Sequence, residues 1–185
     1  MQEEYLEILT TNGEFTGKSC LKSEIHKKGI FHPTVHIWLY TKNGEVLLQQ
    51  RAKSKLICPN LWDVSAAGHI AFGESLIEGG LRELEEEIGV ALTPNNLFKI
   101  GINKCMQTYD NGIIDNEFHH VYIAEFNSDI SKLQLQEEEV QAVKLVTIPE
   151  FKSLLENSKQ NSHFIESNRA YYEFVIEAIQ KKISL

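Results

Sequence analysis

The chain has 185 residues, 42% of them hydrophobic and 24% charged, with a net charge of −8 and a pI near 5.4. This length and balance predict one soluble domain, residues 1–185, with a sizeable core. The acidity argues against a nucleic-acid polymer or a membrane surface as partner, and no apolar run approaches membrane-spanning length. Met1 to Tyr5 is acidic and unlike a secretory leader. Cys20, Cys58 and Cys105 are odd in number and widely spaced, with no disulfide or metal-ligand pattern, so the expected location is a reducing cytoplasm.

Tyr5 to Leu9, followed by the turn signal Thr11-Asn12-Gly13-Glu14, predicts a small hairpin over 5–18 within an N-terminal extension of residues 1–30. Thr34 to Thr41 is β-branched and aromatic, a strand; Asn43-Gly44 is a tight turn and Glu45 to Arg51 the return strand. Residues 52–61, with Pro59, read as a loop. Trp62 to Ala67 reads as a short strand entering a loop at Gly68. Beyond a helix that ends near Ile88, strands are expected over Leu97 to Gln107, Glu117 to Phe126 and Gln141 to Ile148. Pro149 suits the first turn of a helix carrying Phe151, Leu154 and Leu155. Residues 157–163 are a polar loop, and Tyr171 to Ile183 an amphipathic terminal helix.

The helix before Gly89 carries the chemistry. Ile77, Leu81, Leu84 and Ile88 form an apolar stripe at i, i+4, i+7 and i+11. Ser75 or Glu74 can cap its start and Gly89 can end it. Glu83, Glu86 and Glu87 share a face opposite that stripe, where like charges repel by a few tenths of a kcal/mol. A cation among them would remove that cost. Hard oxygen ligands without thiolates point to Mg²⁺ or Mn²⁺. Gly79 and Gly80 cost about 1 kcal/mol each relative to Ala, and are expected to make room near the glutamate face for a backbone or ligand. A merely solvated charged face is the bland alternative, and the number of positions specified at once weighs against it.

Gly68, five residues, Glu74, seven residues, then Arg82-Glu83-Leu84-x-Glu86-Glu87-x-Gly89-Val90 resembles a complete Nudix box, residues 68–90. The resemblance implies the Nudix fold, an α/β/α sandwich with a mixed sheet, to which the hairpin is added. It implies hydrolysis of a small-molecule diphosphate with Mg²⁺ or Mn²⁺. By similarity Glu83, Glu86, Glu87 and the Gly68 carbonyl would hold metal, Arg82 would orient the glutamates, and Glu74 would brace Arg82. A homodimer is common in that superfamily.

The flanks resemble the isopentenyl-diphosphate-isomerase-like branch. The match runs through Thr16-Gly17-Lys18, Lys22-x-x-x-His26, Phe31-His32, Gln50-Arg51-Ala52-x-x-Lys55, Pro59-x-Leu61-Trp62, Gly68-His69 and Asp115-Asn116-Glu117. In isomerases of that type the positions matching His26, His32, His69, Asp115 and Glu117 hold a metal, and those matching Lys22, Arg51 and Lys55 contact diphosphate. Two departures stand out. The essential isomerase cysteine before the box glycine is Ala67 here, and Asp115 stands where that pattern has Glu.

The residue-by-residue weighing is therefore uneven. Arg51 is favoured as a phosphate contact, while Lys55 is balanced between phosphate and solvent. For His69, ligand or phosphate contact and plain packing stand level. His26 and His32 are expected to be hydrogen-bonded structural histidines, as are His119 and His120, which face opposite ways. Glu117 is a candidate base or extra ligand beside Glu83, and Glu137-Glu138-Glu139 reads as a solvated run, although the resemblance also allows a late acidic loop to supply the base. Trp38, Trp62 and Phe72 are expected in the core. The expected function is metal-dependent diphosphate hydrolysis. Allylic isomerisation of isopentenyl diphosphate and a non-catalytic ligand-binding module are the alternatives.

Overall fold

The computed structural model describes residues 4–184. Residues 1–3, on which the reading of the N-terminus partly rests, lie outside the described residues. The main sheet is built on β3 (His32–Tyr40), whose side chains alternate. Val35, Ile37 and Leu39 face one core, Trp38 and Tyr40 the other, as a strand buried on both faces requires. β8 (Ile114–Glu125) runs parallel to β3, and β7 (Phe98–Thr108) runs antiparallel to β8. β6 (Ala66–His69) pairs with β3, whereas β5 (Trp62–Asp63) and β9 (Val140–Thr147) pair with β4 (Glu45–Arg51).

Helix α2 (Leu76–Ile88) covers the Val35 face through Leu84 and Ile88. Helices α3 (Ile148–Glu156) and α4 (Arg169–Ile183) cover the Trp38 face through Phe151, Leu155, Tyr172, Val175 and Ile179. The result is the expected α/β/α sandwich with a mixed sheet. The N-terminal hairpin is also present, as β1 (Tyr5–Leu9) and β2 (Phe15–Leu21) in a separate sheet.

Four local expectations are corrected. A helix, α1 (Lys22–Lys28), follows the hairpin, anchored by fully buried Ile25; it has no side-chain cap to announce it. Strand β8 begins three residues before the expected Glu117. Phe72 is 49% exposed; its backbone meets the hairpin, with Phe72 N–H donating to Tyr5 O at 2.9 Å, while Leu6 and Leu9 supply the buried side chains there. Gly79 and Gly80 face the sheet, not a ligand. A Cβ on Gly80 would lie 3.0 Å from Val35 Cγ2, and one on Gly79 2.6 Å from Ile70 Cδ1. These glycines let α2 sit close to the strands.

The predicted strand over Trp62 to Ala67 is in fact two. The Asn43-Gly44 turn forms, but β3 and β4 pair only at Tyr40 and Val46 before diverging. The chain crosses the gap, giving β5 to one side and β6 to the other, and Ser65 bridges what remains. Its hydroxyl donates to Leu47 O at 2.5 Å and accepts from Leu39 N–H at 2.8 Å. Ser65 is fully buried, so losing it strands two backbone groups. Ser65→Ala is expected to destabilise the protein by about 2–4 kcal/mol, read as a lower midpoint in urea unfolding without loss of cooperativity.

Candidate active site

The divergence of β3 and β4 opens a cleft of about 1040 Å³, lined on one side by Gly68 and the glutamates of α2. Ser75 begins α2 with a reciprocal capping box to Glu78, and Gly89 ends it in a left-handed conformation. Arg82 is the hub of the polar face. Its Nε and Nη2 donate to the two oxygens of Glu74 at 2.9 and 3.0 Å. Its Nη1 donates to Glu83 Oε1 at 2.8 Å and Glu86 Oε2 at 3.0 Å, and Nη2 also reaches the His69 carbonyl at 3.2 Å. Arg82 beside Glu74 holds that carboxyl below its ordinary value.

Gly68 is glycine for a visible reason. A Cβ there would stand 2.1 Å from Glu83 Cδ, so the Glu83 carboxylate lies directly against the Gly68 backbone. Burial raises Glu83, with Arg82 opposing the shift. Glu87 differs from the sequence reading: it lies on the inner face of α2 and is only 6% exposed. Gln49 Nε2 at 2.9 Å and Ala67 N–H at 3.3 Å donate to its Oε2. Burial, reinforced by neighbouring Glu83, pushes Glu87 up to about 8. A carboxyl so placed suits a cation beside it.

A second cluster gathers where α1, β3, β6 and β8 meet. His32 and Glu117 are partners across the parallel β3–β8 pair, and His69 arrives on β6 opposite Thr34. His26 Nδ1–H donates to Lys22 O at 2.8 Å, and His32 Nδ1–H to Ile30 O at 3.0 Å. These bonds turn each Nε2 lone pair inward, the outer-sphere arrangement typical of metal-ligating histidines. His26 Nε2 lies 3.4 Å and His32 Nε2 3.7 Å from Asp115 Oδ1; His32 Nε2 lies 3.5 Å and His69 Nε2 3.8 Å from Glu117 Oε1. His32 Nε2, His69 Nε2 and Asp115 Oδ1 are buried without a hydrogen-bond partner.

Nitrogens and carboxylate oxygens converging with orphaned lone pairs fit a divalent transition metal. The expectation that His26 and His32 are merely structural does not fit these atoms, and the shorter Asp115 still reaches the cluster. Burial holds His69 neutral, the form a metal takes. His26 is raised, chiefly by the Asp115 carboxylate beside it, with burial opposing the shift.

The remaining candidates are distributed differently. Arg51 lines the cleft with its Nε donating to Ile57 O at 3.1 Å. Lys55 is ion-paired with Glu139, so Glu138 and Glu139 line the cleft and are not a purely solvated run. His119 does face away from His120, but it turns into the site, where its Nε2 lies 2.8 Å from Glu117 Oε2. Burial opposes charge on His119, yet hydrogen bonds to Cys105 and Glu117 raise it to about 10. Trp38 is fully buried, while Trp62 is half-buried with its ring stacked on His163. Asp63, Cys105 and Tyr171 also line the cleft; no local pattern in the sequence singles them out.

Comparison with known proteins identifies the family. The NUDIX domain model matches residues 30–167, and the chain belongs to that family. It is 38% identical over 170 residues to Nudix hydrolase 3 of Arabidopsis thaliana, covering 89% of this chain and 22% of that protein, so it spans about a fifth of that relative. It is 39% identical over 160 residues to an uncharacterised Nudix hydrolase of Clostridium acetobutylicum, covering 85% of this chain and 76% of the other. It is 32% identical over 140 residues to an isopentenyl-diphosphate Delta-isomerase of Escherichia coli, covering 76% and 75%. In fold it resembles the crystal structure of DR0079 from Deinococcus radiodurans, with a TM-score of 0.67 at 16% identity, covering 96% of this chain and 98% of that one. His26 comes from outside the matched domain. Among the described residues, no helix is long and apolar enough to cross a membrane.

Glu87 carries a pH prediction. Its native value of about 8 exceeds the ordinary 4.5, so the native state holds the proton more tightly. The associated stability is present below pH 4.5 and is lost as pH rises through 8. Glu87→Gln should therefore stabilise the metal-free protein by roughly 3–5 kcal/mol at pH 9 and by little at pH 4, measured by urea unfolding with chelator. For the second cluster, Zn²⁺ or Mn²⁺ added to stripped protein should raise Tm. The rise should shrink as falling pH protonates His26, and His32→Gln should remove the histidine cluster's share of it while Glu86→Gln leaves that share in place.

Proposed function

We propose that this protein is a metal-dependent hydrolase of a nucleoside diphosphate or another diphosphate-linked small molecule. The observation that carries the reading is the set of box carboxylates gathered around Gly68 and aligned by Arg82. Glu83, Glu86, Glu87 and the Gly68 carbonyl would hold Mg²⁺ or Mn²⁺. Such an ion, when bound, offsets diphosphate charge and makes water more acidic. The protein's own groups do the rest. Arg51, on the cleft wall, would donate to phosphoryl oxygens as charge builds there. Lys55 would do so after leaving Glu139. Water attacks phosphorus, the bridging P–O bond breaks, and the leaving group departs with that oxygen. A carboxylate accepts the water's proton.

Glu83 suits that role better than Glu117. Both Glu117 oxygens face histidines. Although burial alone would raise Glu117, His119 and His32 hold it well below the usual carboxylate range. Glu117 is then a ligand of the histidine cluster and a poor base.

One observation favours the isomerase alternative: the five-residue cluster is assembled as that branch requires. Against it, Ala67 has no proton to exchange. Cys105 lines the cleft beside Glu117 in strand register, yet Cys105 and Glu117 then approach from one side. Glu86→Gln is expected to lower turnover of the preferred diphosphate by roughly 100-fold or more with an unchanged circular-dichroism spectrum. Retained metal-dependent turnover in that variant would refute the hydrolase assignment. Deuterium uptake from solvent into isopentenyl diphosphate would replace it with the isomerase.

A further inference from the structure

Asp63 has no part in the assignments above. It sits on β5 opposite Gln49 and lines the cleft. Two donors fix its carboxylate: Val64 N–H reaches Oδ1 at 2.8 Å and the Tyr172 hydroxyl reaches Oδ2 at 2.9 Å. Tyr172 is itself held, accepting from Ile165 N–H at 3.0 Å, and is 1% exposed. The carboxylate therefore cannot swing away, and each oxygen keeps a further lone-pair direction. Arg51 and His119 act on Asp63 only through space, and burial raises it to about 6.

A carboxylate fixed in a cleft wall, desolvated and without a contact cation among the described residues, is costly unless a ligand supplies donors. We propose that Asp63 selects the group attached to the diphosphate by accepting two adjacent N–H or O–H donors, from the edge of a heterocyclic base or from a vicinal sugar diol. Two coplanar oxygens match two parallel donors. A prenyl chain offers none and would cover Asp63 with its remaining lone pairs unmatched. The wall nearby is polar as well, with Asn168 and Gln107 bonded to each other at 3.4 Å. This assignment deepens the hydrolase reading, on which it rests only for the diphosphate itself.

The test is calorimetric binding of monophosphate products in Mg²⁺, which needs no turnover. The ligands are guanosine, inosine and 2′-deoxyguanosine 5′-monophosphates and dimethylallyl monophosphate. Asp63→Asn removes a buried charge at constant size, so the fold should be kept; Asp63→Glu keeps the charge and moves the oxygens. Both variants should weaken guanosine monophosphate about tenfold or more and leave the prenyl compound within about twofold. In the unsubstituted protein, weaker inosine binding would assign the pair to the base, and weaker deoxyguanosine binding to the diol. The proposal is overturned if the prenyl compound binds best, if the variants shift every ligand alike, or if no nucleotide responds to Asp63. Asp63-dependent binding in a protein that hydrolyses no diphosphate would keep this assignment and discard the hydrolase one.

Discussion

Arg82 touches Glu74, Glu83, Glu86 and the carbonyl of His69 at once. Without it, carboxylates one turn apart on α2 would repel each other and splay into solvent. Glu74 grips the guanidinium by two bonds from the loop before the helix, so Arg82 is itself positioned before it positions anything else. The same bonds tie the end of β6 to α2, which brings Gly68 against Glu83. Arg82 thus sets the distance between the loop and the helix on which the proposed chemistry depends.

The second constraint is the parting of β3 and β4. A conventional hairpin would have closed the sheet there. Instead Ser65 satisfies the two backbone groups the split exposes, and the sheet opens into a cleft without stranding buried polar atoms at that point. Glutamates of α2 enter from one side, histidines of α1, β3 and β6 from another, and Asp63 stands on the β4 half. Glu87 joins the two halves, since it is bonded to Gln49 on β4 and to the Ala67 backbone on β6.

Much of this could be read from local pattern. The alternation in Val35 to Tyr40, the Asn43-Gly44 turn, Ser75 and Gly89 as helix ends, and the spacing of Glu83 and Glu86 all act within a few residues. The misses have equally physical origins. α1 lacks a side-chain cap. Glu87 lies on the same helical arc as apolar residues, and periodicity does not say which edge of that arc turns inward. Gly79 and Gly80 gain their meaning only from Val35, Ile37 and Ile70 on other elements.

The sequence by itself determined the secondary-structure period, the ends of α2, the family and the carboxylates of the box, because short-range sterics and capping bonds act between near neighbours. The resemblance grouped His26, His32, His69, Asp115 and Glu117, but only the tertiary structure decided that their ligand atoms converge, and that Asp63 faces the same cleft. Those residues are brought together by strand register: His32 beside Glu117, Thr34 opposite His69, Gln49 opposite Asp63. A shift of one residue in any of these pairings would send the side chains to the other face of the sheet, and no local signal in the chain carries that information.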